Sequence, residues 1–184
     1  VLMSISKEKI LIFSREIVAE EGLNALSIRK LASRCDLAVG SIYNYFPSKD
    51  DLLIETIESV WEDIFRIDDK SLAFDDFIKY IDHVLDHLIS GIKKYPNFFN
   101  IHSLSFKSKN KDKAKSSMDF YIEKLKREMI CVLNKDKKIK QATFNDAFSK
   151  DDLIKYILTT SICFIVDKNY DKDLFLKIIE KIIY

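Results

Sequence analysis

Apolar residues recur at three- and four-residue spacing along most of the chain, which is the period of an amphipathic α-helix. The first stripe contains Ile10, Phe13 and Ile17, and Gly22 is well placed to end that helix. No segment shows the strict alternation that predicts a β-strand with confidence. The pattern therefore predicts an all-α chain of about nine helices. The predicted spans, by residue number, are 6–21, 28–35, 38–46, 48–66, 74–91, 96–106, 120–133, 153–166 and a last helix from 171.

Residues that cap or break helices divide these stripes. Ser27 can cap the second helix, Asp36 lies in the following turn, and Pro47 cannot continue the third helix. Ser48 and Ser149 each precede an aspartate by three residues, which is a variant of the capping box. Because the whole chain has only 3 glycines and 2 prolines, it favours long helices with short joints.

Composition limits the classes of function and the compartment. The formal net charge of the 184 residues is +1, so any surface for nucleic acid must be local. Residues 107–117 are rich in lysine and lack a large apolar side chain, which predicts an exposed, mobile loop. Three widely separated cysteines predict reduced thiols in a cytoplasmic protein. We also expect no membrane segment, since no apolar run reaches about 18 residues, and no signal peptide.

The second and third predicted helices have the form of a helix-turn-helix. Each is too short to be stable alone, and a turn of about three residues joins them. In that motif the second helix lies in the major groove of DNA. Ala32 is small where the two helices would touch, and Ile42 can face the core. For Phe46 we also favour a place in the core, and a core position is the alternative for Tyr45.

The remaining side chains of this segment suit contact with duplex DNA. Gly40 would let the backbone approach a phosphate, and the Tyr43 hydroxyl could donate to one. Asn44 can pair with an adenine edge, and Val39 can touch a thymine methyl group. Between residues 27 and 49 four cations oppose Asp36, so the local charge is +4 − 1 = +3. The predicted DNA contacts are Ser27, Arg29, Val39, Gly40, Ser41, Tyr43, Asn44, Tyr45 and Lys49.

The stretch SIRKLASRCDLAVGSIYNYFPSKDDLL, residues 27–53, closely resembles the DNA-binding segment of the TetR family of bacterial transcriptional regulators. The family usually has glycine at the position of Asp36 and serine or threonine at that of Ala38. These two departures affect the angle of the third helix, and so the operator sequence. The resemblance implies a DNA-binding domain at residues 1–48 and an effector-binding and dimerisation domain at 49–184.

The last two helices are expected to form a homodimer. Residues 153–166 are apolar nearly all round, so this helix must be covered on every side. The resemblance implies a four-helix interface with a second copy, while an intrachain core is the alternative. The predicted interface residues are Leu153, Ile157, Thr160, Phe164, Phe175, Ile178 and Ile182.

An effector pocket is implied among the middle helices. Aromatic walls with a few polar tips suit a hydrophobic or planar small molecule, although each residue alone could belong to the core. The candidates are Trp61, Phe65, Phe98, Phe99, His102, Phe106, Tyr121 and Tyr156. His83 and His87 lie opposite the apolar stripe of their helix, which favours a solvated face over a metal site with His102.

We therefore predict a homodimeric, ligand-responsive repressor that binds double-stranded DNA at a near-palindromic operator. No catalytic constellation stands out, so neither an enzyme nor a cofactor is expected. The alternative is a small-molecule-binding helical protein that acts through a protein partner instead of DNA.

Overall fold

Eight α-helices make up most of the described residues in the computed structural model, which covers residues 5–65, 73–98, 111–166 and 171–184. These ranges also contain the 3-10 turns Leu23–Ala25 and Gln141–Thr143 and an isolated bridge between Asn145 and Phe148. The predicted all-α class is confirmed. The helices are α1 (Lys7–Glu21), α2 (Ile28–Arg34), α3 (Val39–Tyr43), α4 (Lys49–Ile64), α5 (Phe77–Lys94), α6 (Lys111–Lys135), α7 (Lys150–Val166) and α8 (Lys172–Ile183).

The helix starts agree with the predicted capping residues. The Ser27 hydroxyl accepts a hydrogen bond from the Lys30 amide at 3.2 Å, and Ser48 accepts one from the Asp51 amide at 3.1 Å. Ala38 precedes α3 in an extended conformation and provides no side-chain cap. With only five residues, α3 ends three residues before the predicted end at 46, and contacts with α2 must hold it in place.

Two predicted boundaries in the middle of the chain are wrong. Helix α5 continues past Gly91 for three residues, since a helical glycine costs only about 1 kcal/mol. A Cβ at this glycine would lie 2.7 Å from the Ile64 side chain, so the close approach needs glycine. Helix α6 already begins at Lys111, so the predicted loop is wrong from that residue onward, because lysine and alanine are good helix formers. Of the predicted helix over residues 96–106, residues 96–98 form a turn and residues 99–106 lie outside the described residues.

The packing of the chain divides it into two compact units. The first contains residues up to 64 together with 91–119, and the second contains 65–90 and 120–184. Helix α4 thus belongs to the first unit, although the predicted domain boundary precedes it. That boundary stays a prediction, since a packing unit and a functional domain are different divisions.

The core of the first unit supports α3 from one side. Ile10 and Ile17 of α1, Leu31 of α2, Ile42 of α3 and Phe46 are almost completely buried. Helix α1 packs against both α2 and α4, and α2 packs against α3. The opposite side of α3 remains on the surface of this unit.

Two buried carboxylates join three elements in the second unit. Asp136, just after α6, accepts hydrogen bonds from the Phe77 amide at 2.8 Å and from the Tyr184 hydroxyl. Asp76 forms an ion pair with Lys138 at 2.7 Å. The start of α5, the end of α6 and the end of α8 are therefore fixed to one another.

Candidate nucleic-acid interface

The turn between α2 and α3 sets the position of α3. Asp36 adopts a left-handed conformation with φ of 53°, which aspartate tolerates better than most residues. The Leu37 amide then donates to the Ala32 carbonyl at 2.9 Å. This hydrogen bond closes the turn against α2, so the departure at Asp36 leaves the motif intact.

The outer side of α3 forms an exposed, uncharged strip. Val39 is 40% exposed and Tyr43 is 49% exposed. Gly40 and Asn44 are also exposed, and a Cβ added to this glycine would meet no heavy atom within 4 Å. Ser41 is half-buried beside them. The structure thus brings these five predicted contacts together on one surface, which we call the α3 strip.

Two of the predicted DNA contacts already have partners within the chain. The Tyr45 hydroxyl donates to the Ile5 carbonyl at 2.7 Å, so a donation to phosphate would require this bond to break. The Ser27 hydroxyl caps α2, as described above. The bond from Tyr45 fixes Ile5, two residues before α1, beside the end of α3.

Carboxylates of α1 reduce the charge predicted for this region. Lys30 pairs with Glu21, and Arg34 pairs with Glu20. Without these two cations, the local charge of residues 27–49 falls from +3 to +2 − 1 = +1. The prediction overlooked the glutamates because they lie on α1, outside the segment that was counted.

Polar side chains that the sequence analysis missed attach α4 to both α1 and the end of α5. Arg15 of α1 donates to the Ser59 hydroxyl of α4. Asp63 accepts from Lys94 at 2.6 Å and from the Tyr95 hydroxyl at 2.7 Å. Burial alone would raise the pKa of Asp63, but these hydrogen bonds hold it below its ordinary value. The sequence analysis relied on the spacing of apolar residues, so these mostly polar side chains were not identified.

The aromatic candidates for an effector pocket form separate contacts. Trp61 and Phe98 meet edge to face in the first unit, with ring centroids 5.3 Å apart. Phe65 and Tyr121 stack at 6.5 Å in the second unit. Tyr156 packs beside the ring of an α8 residue instead. Phe99, His102 and Phe106 lie outside the described residues.

The two histidines of α5 are half-buried, so the expectation of a solvated face is wrong. The His83 ring lies 5.3 Å from the Phe74 ring and 4.3 Å from the His87 ring. Phe74 was predicted to lie in this helix, but α5 begins only at Phe77, and the Phe74 ring packs on the side that carries His83. Among the described residues, no group of three or more side chains is arranged to hold a metal ion.

The predicted dimer residues divide into buried and exposed sets. Ile178 and Ile182 are 41% and 39% exposed on α8, and Leu174 extends the same stripe. Thr160 is half-buried. The other four predicted residues are buried within the single chain, and their role in an interface stays a prediction. They are Leu153, Ile157, Phe164 and Phe175.

Comparison with known proteins places the N-terminal part of the chain. Residues 10–56 match the model described as bacterial regulatory proteins, tetR family. The transcriptional repressor KstR of Mycolicibacterium smegmatis is 38% identical over 65 residues, which are 35% of this chain and 30% of that protein. An uncharacterized HTH-type regulator of Haemophilus influenzae is 48% identical over 46 residues, or 25% of each chain. The chain thus matches less than a third of these curated relatives.

Solved structures extend the similarity to nearly the whole chain as a likeness of fold. The multidrug binding protein EbrR, solved with imidazole, has a TM-score of 0.65 at 15% identity, covering 99% of this chain and 97% of its own. The regulator FadR of Bacillus subtilis, solved with stearoyl-CoA, has a TM-score of 0.63 at 16% identity, covering 96% and 95%. None of the helices in the described ranges has both the length and the apolar character needed to cross a membrane.

Proposed function

Because residues 10–56 match the tetR family model and nearly the whole chain resembles EbrR in fold, we propose that it is a TetR family transcriptional regulator that binds duplex DNA through α3 and represses transcription until a small effector releases it. The family consists of regulators and not of enzymes, in agreement with the prediction from sequence. Three of the curated relatives are named as repressors, which supports repression over activation.

The observation that carries this proposal is the α3 strip. A helix that exposes Tyr43, Asn44 and Val39 side by side displays phosphate donors and groups that read bases. The same helix buries Ile42 completely, so its orientation on the unit is fixed. Arg29 and Lys49 are exposed on the adjoining elements and can contact the phosphate backbone.

A binding titration with genomic DNA fragments tests the proposal. We expect the double variant Tyr43→Ala, Lys49→Ala to lose about 10-fold or more in affinity, because it removes two contacts to charged oxygens. Lys124→Ala, on an exposed position of α6, is the control and should bind as the wild type does. Equal affinity of the double variant and the wild type for every fragment would contradict the proposal.

A small hydrophobic or planar effector is the regulator that the aromatic groups support. Phe65 and Tyr121, which stack and are half-buried, offer a flat apolar surface, and Trp61 and Phe98 form a second, buried aromatic pair. An effector that weakens DNA binding must itself be weakened by DNA by the same factor. Titration of candidate compounds in the presence and absence of DNA measures this reciprocity.

A homodimer follows from the exposed apolar stripe of α8. Leu174, Ile178 and Ile182 lie four residues apart and so share one face of the helix. A second copy of the chain would cover this face. The two DNA-binding domains, here called heads, would then contact successive major grooves, roughly 34 Å apart. A near-palindromic operator in the cytoplasm matches this arrangement.

A further inference from the structure

Carboxylates of α1 hold two of the four cations that the helix-turn-helix segment contains. Both terminal nitrogens of Arg34 donate to the Glu20 carboxylate, one of them at 3.1 Å. Glu16 lies 3.9 Å from the same guanidinium. Lys30 donates directly to Glu21. Each cation therefore has an anion of its own chain in contact.

Helix geometry explains why these two cations share a direction. Lys30 and Arg34 are four residues apart, so at 100° per residue their side chains lie only about 40° from each other around α2. Arg29 precedes Arg34 by five residues and lies about 140° away. The face of α2 that carries the paired cations is thus the face turned toward α1.

A DNA phosphate could bind these cations only by displacing the glutamates that already contact them. The Arg34–Glu20 contact uses two parallel hydrogen bonds, which is the preferred arrangement of guanidinium and carboxylate. The hydrogen bond to Arg34 also lowers the pKa of Glu20, so this carboxylate stays ionised. If Arg34 left for DNA, the anion of Glu20 would remain unpaired near a polyanion.

The helix-turn-helix segment contains two further cations, and Lys7 of α1, which pairs with Glu55, lies 5.3 Å from the centre of the Phe46 ring just after α3. Arg29 and Lys49 are exposed, and neither forms an ion pair with any residue that the structure describes. The α3 strip itself carries no charge. Residues 50–64 of α4 contain six carboxylates and no lysine or arginine.

We propose that Arg29 and Lys49 are the cations of the helix-turn-helix segment that contact DNA phosphates, while glutamates of α1 keep Lys30 and Arg34 out of the interface. This inference rests on the proposed function and specifies how its DNA-binding site works. With few phosphate contacts, non-specific affinity is low and depends weakly on salt. Discrimination between sequences then comes mainly from the uncharged α3 strip.

The salt dependence of binding to a duplex of arbitrary sequence tests the inference. We would use a labelled duplex of about 30 base pairs, long enough for two half-sites, and titrate it between about 50 and 200 mM KCl. The double variants Glu20→Gln, Arg34→Gln and Glu21→Gln, Lys30→Gln leave the net charge unchanged. Thermal unfolding of every variant establishes that it is folded at the assay temperature.

The two sets of variants should behave differently. We expect both charge-neutral double variants to keep the wild-type slope of log affinity against log salt. Arg29→Gln and Lys49→Gln should each reduce that slope by about one for each head bound to DNA. A reduction of this size in the Glu20→Gln, Arg34→Gln variant overturns the inference, because Arg34 would then contact phosphate. A wild-type chain without any affinity for duplex DNA overturns the proposed function itself.

Discussion

Gly40 and Gly22 have different physical reasons to be glycine. A Cβ at Gly22 would lie 3.1 Å from the Asn97 Cβ, and its φ of 83° lies in the left-handed region. At Gly40 the backbone is helical and the added atom would meet nothing within 4 Å. The chain's own packing therefore requires glycine at the end of α1 but not in α3.

The substitution Gly40→Ala should change the stability of the fold and the affinity for DNA in opposite directions. We expect Gly40→Ala to stabilise the fold by about 0.5–1 kcal/mol, since alanine is the better helix former. The same variant should bind DNA more weakly, because its methyl group occupies the space that a phosphate needs. Chemical denaturation and a binding titration measure the two effects.

The matched control is the other glycine. Gly22→Ala should destabilise the fold by more than about 1 kcal/mol, through its backbone conformation and the contact with Asn97. At a temperature where it remains folded, its DNA affinity should equal that of the wild type. A Gly40→Ala variant with unchanged DNA affinity would remove the reason for assigning residue 40 to the interface.

The periodic pattern predicted the side of a helix but not the partner of a side chain. It placed Ile42 and Phe46 in the core and left Tyr43 outside, as the structure has them. It could not identify the bond from Tyr45 to the Ile5 carbonyl, because these residues are 40 positions apart. The pair of Arg34 and Glu20 was missed because the two residues lie on different helices, 14 positions apart.

Helix starts were predictable where a side chain caps the helix. Ser27 and Ser149 accept the expected amide hydrogen bonds, and Asp171 accepts one from Leu174 at 2.9 Å. The early start of α6 carries no comparable signal, since its first turns consist of polar residues with good helix propensity. The sequence therefore predicts the start of a helix only where a nearby side chain accepts a hydrogen bond from a backbone amide of the first turn.

The start of α5 should be sensitive to acid. Burial alone would raise the pKa of Asp76, but Lys138 and the Lys79 amide donate to its carboxylate and hold that pKa below its ordinary value. A carboxyl with a depressed pKa stabilises the fold above its unfolded pKa of about 3.9 and loses that contribution as the pH falls through the folded value. We expect stability to fall in this window.

Replacing the carboxylate measures that contribution. Asp76→Asn should be less stable than the wild type at neutral pH, and its stability should depend less on pH below about 4. Asp75→Asn, at an exposed neighbouring position, is the control and should keep the wild-type pH profile. Urea denaturation at a series of pH values tests this, and parallel profiles of wild type and Asp76→Asn would contradict it.

At the scale of the whole molecule, α8 offers the surface for assembly. Its inner side packs on α7, where the rings of Phe164 and Phe175 meet at 5.7 Å. Its outer side exposes the stripe of Leu174, Ile178 and Ile182. An apolar stripe of this kind on a helix is more stable when a second copy covers it.

A charge in this stripe should separate the proposed homodimer. We expect Ile178→Lys to halve the mass measured by light scattering and to weaken operator binding, because one head alone contacts one half-site. Ile122→Lys introduces the same charge at a 38% exposed position of α6 and should keep the wild-type mass. A dimeric Ile178→Lys variant would show that another surface carries the assembly.

The fold as a whole was predictable because long helices and short joints leave few arrangements for a chain of this length. The surfaces that contact other molecules were harder to predict from the sequence. Leu153 and Ile157 looked suitable for an interface, but the single chain already buries them. Apolar periodicity reports that a residue is covered and does not report whether its own chain or a second chain covers it.

The bond between Tyr45 and Ile5 has a practical consequence for work with this protein. Because it holds the polypeptide just before α1 against the end of α3, an affinity tag fused ahead of residue 5 would emerge next to the surface proposed to meet DNA. A tag attached after Tyr184 follows the last residue of the second unit instead. Binding constants from the two kinds of fusion should therefore be compared before either is taken as the property of the untagged chain.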